Sequence, residues 1–391
     1  MKMKIHSAKM RLPLALIAMA CLALLLAPSA GARTWTSADG TRTFEAELQS
    51  YDAASGEVRV ILLPNRKRMM FMQEKLSADD LAWLKKNAGK PAAGSGGNDI
   101  PEVLPDPDDK APDTTKPVKV YFLSGQSNMV GMGKHATLKP LATEDEKFGY
   151  IIDEDGKWTV RNDVHYINYV MDKRYTDGAL TVDKHVGPEL GIGHVLGHYH
   201  DEQVLLIKGS CGNRSLGWDF MPPSARKRLG TDTTGKWPAG TSYDRYVKSA
   251  KAVLENLEDN LPGYKGQGYE MAGFFWWQGH KDKGMPKEKY EEFLGELIKD
   301  LRTEFDAADD TPFVTATVAF NGQNLGPWKG VFEAQMAVGD PKQHPEFKGN
   351  VASVDIRDIG GGGFHYGENG ATYAKVGDRM GRAMAKLLKG E

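Results

Sequence analysis

Between Val118 and Leu123 the chain reads Val-Lys-Val-Tyr-Phe-Leu, then breaks at Ser124-Gly125-Gln126-Ser127-Asn128. A short apolar, β-branched and aromatic run bounded by small polar residues predicts a buried strand of a parallel sheet. Such a strand delivers the next side chains to the carboxyl edge of the sheet, where open α/β folds bind their ligands. Here the delivered side chain is the hydroxyl of Ser127.

The rest of the chain from residue 118 repeats this pattern. Strand-like runs at Val118–Leu123, Val204–Lys208, Glu270–Trp277, Phe313–Phe320 and Val351–Ile356 alternate with helix-like runs. Tyr246, Ala250, Val253 and Leu257 recur at helical spacing within 243–261, and Tyr290, Phe293, Leu294, Leu297, Ile298 and Leu301 within 287–305. A last helix is expected over 369–388. Alternating strands and helices imply a parallel sheet covered on both faces. Residues 134–185 fit the pattern less well and read as an insertion near the sheet edge, with a hairpin around Asp155-Gly156.

The N-terminal third is organised differently. Lys2, Lys4, Lys9 and Arg11 precede an apolar run from Leu12 to Ala27, followed by Ala30-Gly31-Ala32. This is the order of a secretory signal peptide cleaved near Ala32, and the run is short for a membrane span. Ala18-Met19-Ala20 ahead of Cys21 is a poor lipidation site. Loss of residues 1–32 removes four basic and no acidic groups, taking the formal charge from −2 to −6. No basic patch suits a nucleic acid or an anionic membrane. Cys211 remains alone, so the mature chain forms no internal disulfide, and a buried inert thiol is expected. Residues 33–88 read as a small β module, with strands at 42–51, 57–63 and 68–73, a turn at 52–56, and a helix capped by Ser77. The run 89–117 is rich in Pro, Gly, Ser and Asp and reads as a disordered linker.

Four polar segments fall at the ends of the predicted strands: Gly125–Asn128, Gly209–Leu216, Trp276–Asp282 and Asp355–Tyr366. Parallel strands bring these ends to one edge. A serine, a histidine (His365), backbone amides and a glutamine amide (Gln278) are then available together, the set that acyl transfer to a serine requires. The GxSxG elbow of α/β-hydrolases is absent around Ser127.

These segments carry a resemblance. YFLSGQSNMVGMG, GPELGIG, KGSCGNRSLGWDFMPPS, FFWWQGHKD and FHYGENGATYAKVGDRMGRAM are similar to the SGNH-hydrolase superfamily, in particular carbohydrate esterases of the sialate O-acetylesterase and acetylxylan esterase type. The resemblance implies a flavodoxin-like three-layer sandwich on a five-stranded parallel sheet over 118–391. It implies Ser127 as nucleophile and His365 as base. The amides of Ser127 and Gly212 with the Gln278 side chain would form the oxyanion hole, and Gly187 would let backbone approach the site. Two positions depart from the family pattern. Gly362 stands where many relatives carry an acid three residues before the histidine, and His280 stands where others carry a glutamate. The third triad member is therefore open among Asp358, favoured, and Asp355 and Asp282. Residues 33–88 in turn resemble the SH3-like module of the SLA1-homology type, through RTWTSADGTRTFEAEL and VRVILLPNRKRMMFMQEKLSADDLAWL.

Gln126, Asn128, Asn213, Trp218, Trp277, His280 and Tyr366 are expected to line the substrate site, with Trp276 as a further stacking surface for a sugar ring. His194, His198 and His200 have the spacing H-x3-H-x-H, but no HExxH motif accompanies them, and surface histidines at a helix end are expected rather than a metal site. The expectation is a secreted serine esterase for O-acetylated carbohydrates that needs no cofactor, metal, nucleic acid or membrane partner. The alternatives are an esterase or lipase for another acyl group, and a carbohydrate-binding protein whose triad has lapsed.

Overall fold

A computed structural model describes residues 32–391, apart from 53–55, 63–67, 88–98, 108–110, 154, 172 and 232–233. The predicted signal peptide with Cys21, the first part of the linker and most of the 52–56 turn therefore lie outside the described residues.

Strands β1 (Ala32–Thr36), β2 (Thr43–Asp52), β3 (Glu57–Leu62) and β4 (Arg68–Met72) form an antiparallel meander in that order. β1 is one strand more than the sequence pattern suggested. Helix α1 (Ala78–Asn87) follows. As expected, Ser77 caps it: its Oγ accepts from Asp80 N at 3.3 Å, and it donates to the Asp80 carboxylate at 2.9 Å. Trp35, Ala46, Val58, Val60, Leu76 and Leu84 close a small core.

The remaining chain builds a second sheet. In chain order the elements are β5 (Val118–Gly125), α2 (Ser127–Val130), α3 (His135–Glu144), β6 (Arg161–Val170), β7 (Lys173–Leu180), α4 (Glu189–Tyr199) and β8 (Val204–Ser210). There follow α5 (Pro223–Leu229), α6 (Thr241–Leu254), α7 (Leu257–Asn260), β9 (Tyr269–Trp277), α8 (Lys287–Glu304), β10 (Phe313–Ala316), α9 (Lys329–Ala337), β11 (Val351–Val354) and α10 (Gly370–Lys389). The strand order is β11-β10-β9-β5-β8-β6-β7, with every pairing parallel except β6–β7. The expected five strands are thus joined by β6 and β7. Residues 161–180 are not an insertion but an edge of the sheet: Val164, Tyr166 and Ile167 are buried there. Their polar neighbours masked that pattern. A short hairpin does occur around Asp155-Gly156, where Ile152 bridges Trp158 antiparallel and Asp153 N and Thr159 N donate to Lys157 O and Ile151 O at 2.8 and 3.0 Å, and a longer hairpin joins β6 to β7.

Alternation along β5 divides the core. Val118, Val120 and Phe122 face the cluster made with α6, α8 and α9, whereas Tyr121 and Leu123 face that made with α3, α4 and α10. Residues 99–107, read as linker, lie against this second layer. Leu104 is buried in its core, and Arg382 donates to the carbonyls of Pro101 and Glu102 at 2.7 and 2.9 Å. A few apolar residues among the prolines suffice to dock the segment. No helix among the described residues is long and apolar enough to cross a membrane.

Candidate active site

β5 lies between β8 and β9, and the chain leaves it toward one side of the sheet and later returns to the other. Its carboxyl end is a topological switch point, where α/β sheets open a crevice. In register, Gly125 stands beside Ser210 of β8 and Trp277 of β9, so three of the four predicted segments begin side by side. Gly125 has φ +153°, and a Cβ there would collide with the Trp277 carbonyl. Ser127 is the first residue of α2 and is 6% exposed. A Cβ on Gly212 would meet the Ser127 Cβ at 3.8 Å and nothing nearer, so the 211–214 loop runs past the serine. The backbone N–H groups of Ser127 and Gly212 have no acceptor among the described residues.

The motif residues around the serine are largely spent on one another. Gln126 Oε1 accepts from Gln278 Nε2 and from the amides of Gly279 and Lys281 at 3.1–3.2 Å. Gln278 Nε2 also donates to Asp282 at 2.6 Å and to the Arg214 carbonyl at 2.8 Å, while its Oε1 accepts from Tyr290. Gln278 has no exposed surface. Its amide protons are taken, which removes it as the expected oxyanion donor. Gln126 ties two loops together through its Oε1, and its Nε2 donates to the Ser127 hydroxyl at 3.4 Å. Asp282 accepts from the amides of Leu216 and Gly217, at 2.8 and 3.1 Å, as well as from Gln278. Burial raises its carboxyl above the usual aspartate value despite these donors.

His365 enters from the loop between β11 and α10. It is buried against Phe364 and Phe320, with ring centroids 3.8 and 5.9 Å away. Desolvation holds its imidazole below the ordinary histidine value, partly opposed by the charge of Glu368. The structure records no hydrogen bond between His365 and Ser127 among the described residues. Their neighbours meet instead: Asn128 Nδ2 donates to the Tyr366 hydroxyl at 3.2 Å and lies 3.1 Å from His280 Nδ1. Burial pushes His280 down to about 3, helped by the adjacent His365, so this ring is neutral.

None of the three candidate acids is bonded to His365. Asp358 forms a two-pronged ion pair with Arg379 at 2.5–2.6 Å, Asp355 pairs with Arg357, and Asp282 is engaged as above. The substrate-lining set also divides. Asn128, Trp277 and Tyr366 are 0, 0 and 2% exposed, and His280 is buried against Phe320. Trp277 donates to the Thr317 carbonyl and stacks on Tyr366, and Trp276 is equally buried. These rings are core and not sugar platforms. Asn213 and Trp218 remain exposed.

The three clustered histidines do not act as a set. His194 is buried against Tyr150, contrary to the expected surface position, because α4 is covered by α10 and the sheet. His200 bonds Tyr121 at 2.6 Å, and His198 lies on the surface near Asp99. Cys211 is free and buried, as expected.

Residues beyond the sequence motifs also shape the site. Lys208, fully buried on β8, pairs with Glu189 at 2.7 Å and donates to the Val130 carbonyl at the end of α2. A lysine closing an apolar strand run was the available signal. Asp219 joins Ser215 to the Trp237 indole at 2.7–3.0 Å and shapes the loop after β8.

No curated protein matches the chain. Among solved structures it is similar to an Arabidopsis thaliana protein, at 18% identity over 68% of this chain and 98% of that one, with a TM-score of 0.42. It is similar to a carbohydrate acetylesterase from Xanthomonas citri at 15% identity, over 70% of this chain and 57% of that one, with a TM-score of 0.47. A carbohydrate esterase family 2 enzyme with a carbohydrate binding domain from Corynascus thermopiles is similar at 14% identity, over 74% and 69%, with a TM-score of 0.37. A family model described as carbohydrate esterase, sialic acid-specific acetylesterase matches residues 117–386. That match takes in the whole of the larger sheet and well over half of the chain, and the protein accordingly belongs to this family of carbohydrate esterases.

Proposed function

We propose that this carbohydrate esterase removes O-acetyl groups by way of an acyl-enzyme on Ser127. The observation that carries the reading is the placement of Ser127 at the switch point, beside Gly212, with both backbone N–H groups unspent. Ser127 Oγ attacks the acetyl carbonyl carbon while the neutral His365 imidazole takes the hydroxyl proton. The two N–H groups hold the oxyanion of the tetrahedral intermediate. Collapse breaks the bond to the sugar oxygen, which leaves with the proton from His365. Water then attacks the acetyl-serine, again with His365 as base, and acetate is released.

The low position of His365 supports its role, since the imidazole is then free of its proton at neutral pH. Asn213 and Trp218 are the exposed members of the expected sugar-contacting set. The leader-like order of residues 1–32 supports export, and the meander of residues 33–88 is read as an SLA1-homology-like binding or spacing module. The test is acetate release from p-nitrophenyl acetate and acetylated xylan by the purified protein beside Ser127→Ala, with fluorophosphonate labelling of both. Turnover and labelling lost together in the variant are expected. Turnover retained by Ser127→Ala would refute the assignment, and no turnover or labelling in the folded parent would favour a carbohydrate-binding protein.

A further inference from the structure

Two loops on one side of Ser127 are stitched into a single surface. Residues 319–324 follow β10, and residues 360–364 lie between β11 and His365. Gly361 N donates to Ala319 O at 3.1 Å, and Gly363 N to Phe320 O at 3.0 Å. Gly322, with φ +58°, turns the first loop against the second, and a Cβ there would meet Arg357 O at 3.3 Å. What this surface presents to solvent is an aromatic ring. Phe364 is 75% exposed, more than any other large apolar side chain among the described residues, and its ring centroid lies 3.8 Å from that of His365. A single exposed apolar side chain elsewhere on a surface needs no explanation. This one stands against the proposed base.

Strand order says which part of a substrate would meet it. β8 lies on one side of β5, and β9, β10 and β11 lie on the other. Gly212, the proposed oxyanion donor, follows β8, whereas His365 and the 319–324 loop follow β11 and β10. In the proposed acyl transfer the acetyl oxygen therefore turns toward β8, and the sugar oxygen toward His365, which returns the proton to it. The leaving sugar is then on the side of Phe364. The surroundings suit a pyranose, which has an apolar C–H face edged by hydroxyls. Asn321 and Asn324, both exposed, line a shallow crevice beside Phe320, whose ring is 5.7 Å from that of Phe364. His280 lines the same crevice. Its Nδ1 accepts from Asn128, which leaves the ring proton on Nε2, and Nε2 is buried with no partner among the described residues. A buried donor is destabilising until an acceptor meets it.

We infer that Phe364, Asn321 and Asn324 form the subsite for the leaving sugar, a pyranose stacked on the Phe364 ring with its hydroxyls toward the two amides. The ring supplies apolar contact, and the amides fix orientation. These residues select which alcohol is released and take no part in making or breaking bonds. The inference rests on the acyl-enzyme reading, with His365 as the base.

The experiment compares acetate release from acetylated xylan and from ethyl acetate, which carries no ring, by the parent, by Phe364→Ala and by a double variant with Asn321→Ala and Asn324→Ala. All three side chains are exposed, so the fold should persist. Removing a contact made equally in the ground and transition states raises KM and leaves kcat in place. Phe364→Ala is expected to raise KM for acetylated xylan on the order of tenfold, with kcat on that polymer within about twofold, through the loss of one apolar face. The ratio of kcat/KM for the polymer to that for ethyl acetate should fall by the same factor, and the asparagine variant should lower it severalfold. Free xylotriose should inhibit the parent competitively, and Phe364→Ala about tenfold more weakly. A ratio unchanged in both variants, whether the two esters fall together or not at all, would overturn the inference and leave the serine and histidine assignments intact. So would a parent that does not prefer the polymer to ethyl acetate. Turnover surviving in Ser127→Ala would overturn the acyl-enzyme reading and this inference with it.

Discussion

Replacing Lys208 by methionine tests whether a buried ion pair holds the serine in place. Lys208 and Glu189 side chains are 1 and 4% exposed and stand 2.7 Å apart, and the same ammonium donates to Val130 O at 2.9 Å. Methionine fills most of the volume but leaves Glu189 buried without its cation. Breaking a buried pair in this way costs about 3–5 kcal/mol. At roughly 2–4 °C per kcal/mol for a domain of this size, the melting point should fall on the order of 10 °C. The loss should depend on pH. Burial already raises the Glu189 carboxyl above its ordinary 4.5, and removing Lys208 raises it further. A raised carboxyl binds its proton more tightly folded than unfolded, so stability falls as pH rises from the unfolded value through the folded one. The deficit of Lys208→Met is therefore largest above the folded value and shrinks in acid. Adding Glu189→Gln should recover much of it, since the buried charge is gone. Urea unfolding from about pH 5 to 8 reads the deficit, and kcat per fluorophosphonate-titrated site reads the position of α2. A deficit under about 1 kcal/mol, typical of an exposed pair, with no pH dependence, would refute the reasoning.

The acid limb of kcat/KM should lie below the ordinary histidine value of 6.5, because desolvation lowers His365 and its neutral ring is the proposed base. A limb at or above that value would show that another group limits the rate. Gly125→Ala should give little soluble protein, since a Cβ there meets the Trp277 carbonyl, a backbone atom that no rotamer change can move. Normal yield with an unchanged unfolding midpoint would contradict it. Asp358→Asn should leave kcat unaltered and cost at most about 1 kcal/mol, because its pair with Arg379 is solvent-exposed. A large fall in kcat would return Asp358 to the triad.

The central strands were legible because β5, β8 and β9 are buried on both faces and read as continuous apolar runs. Their register then follows from the ends of those runs, which is why the motif segments meet at Gly125, Ser210 and Trp277. β6 and β7 were hidden for the opposite reason. An edge hairpin carries polar residues on its outer side, and its Arg174, Tyr175 and Asp177 resemble an irregular loop. The expected helix over 243–261 breaks near Asn256, where α6 ends and α7 begins, since apolar spacing continues across a break that backbone geometry alone defines.

Within the site, the placement of Ser127 beside Gly212 could be read from sequence because it depends on where the backbone goes. The roles of Gln126, Gln278 and Asp282 could not, because an amide or carboxylate at a strand end serves a ligand or a neighbouring loop with the same side chain. What decides is whether its hydrogen bonds are already filled. Gln278 has two amide protons and three acceptors within 3.2 Å, at Asp282, Arg214 and Gln126. Freeing one for an oxyanion would leave the buried Asp282 carboxylate short of a donor, at a cost of about 1–3 kcal/mol or more for a charged group. The amides of Ser127 and Gly212 incur no such loss, since nothing among the described residues accepts from them. In the proposed mechanism, charge developing on a bound acetyl oxygen is therefore met at lower cost by backbone than by the glutamine, whose hydrogen bonds to Arg214 O and Asp282 hold the loop after β8.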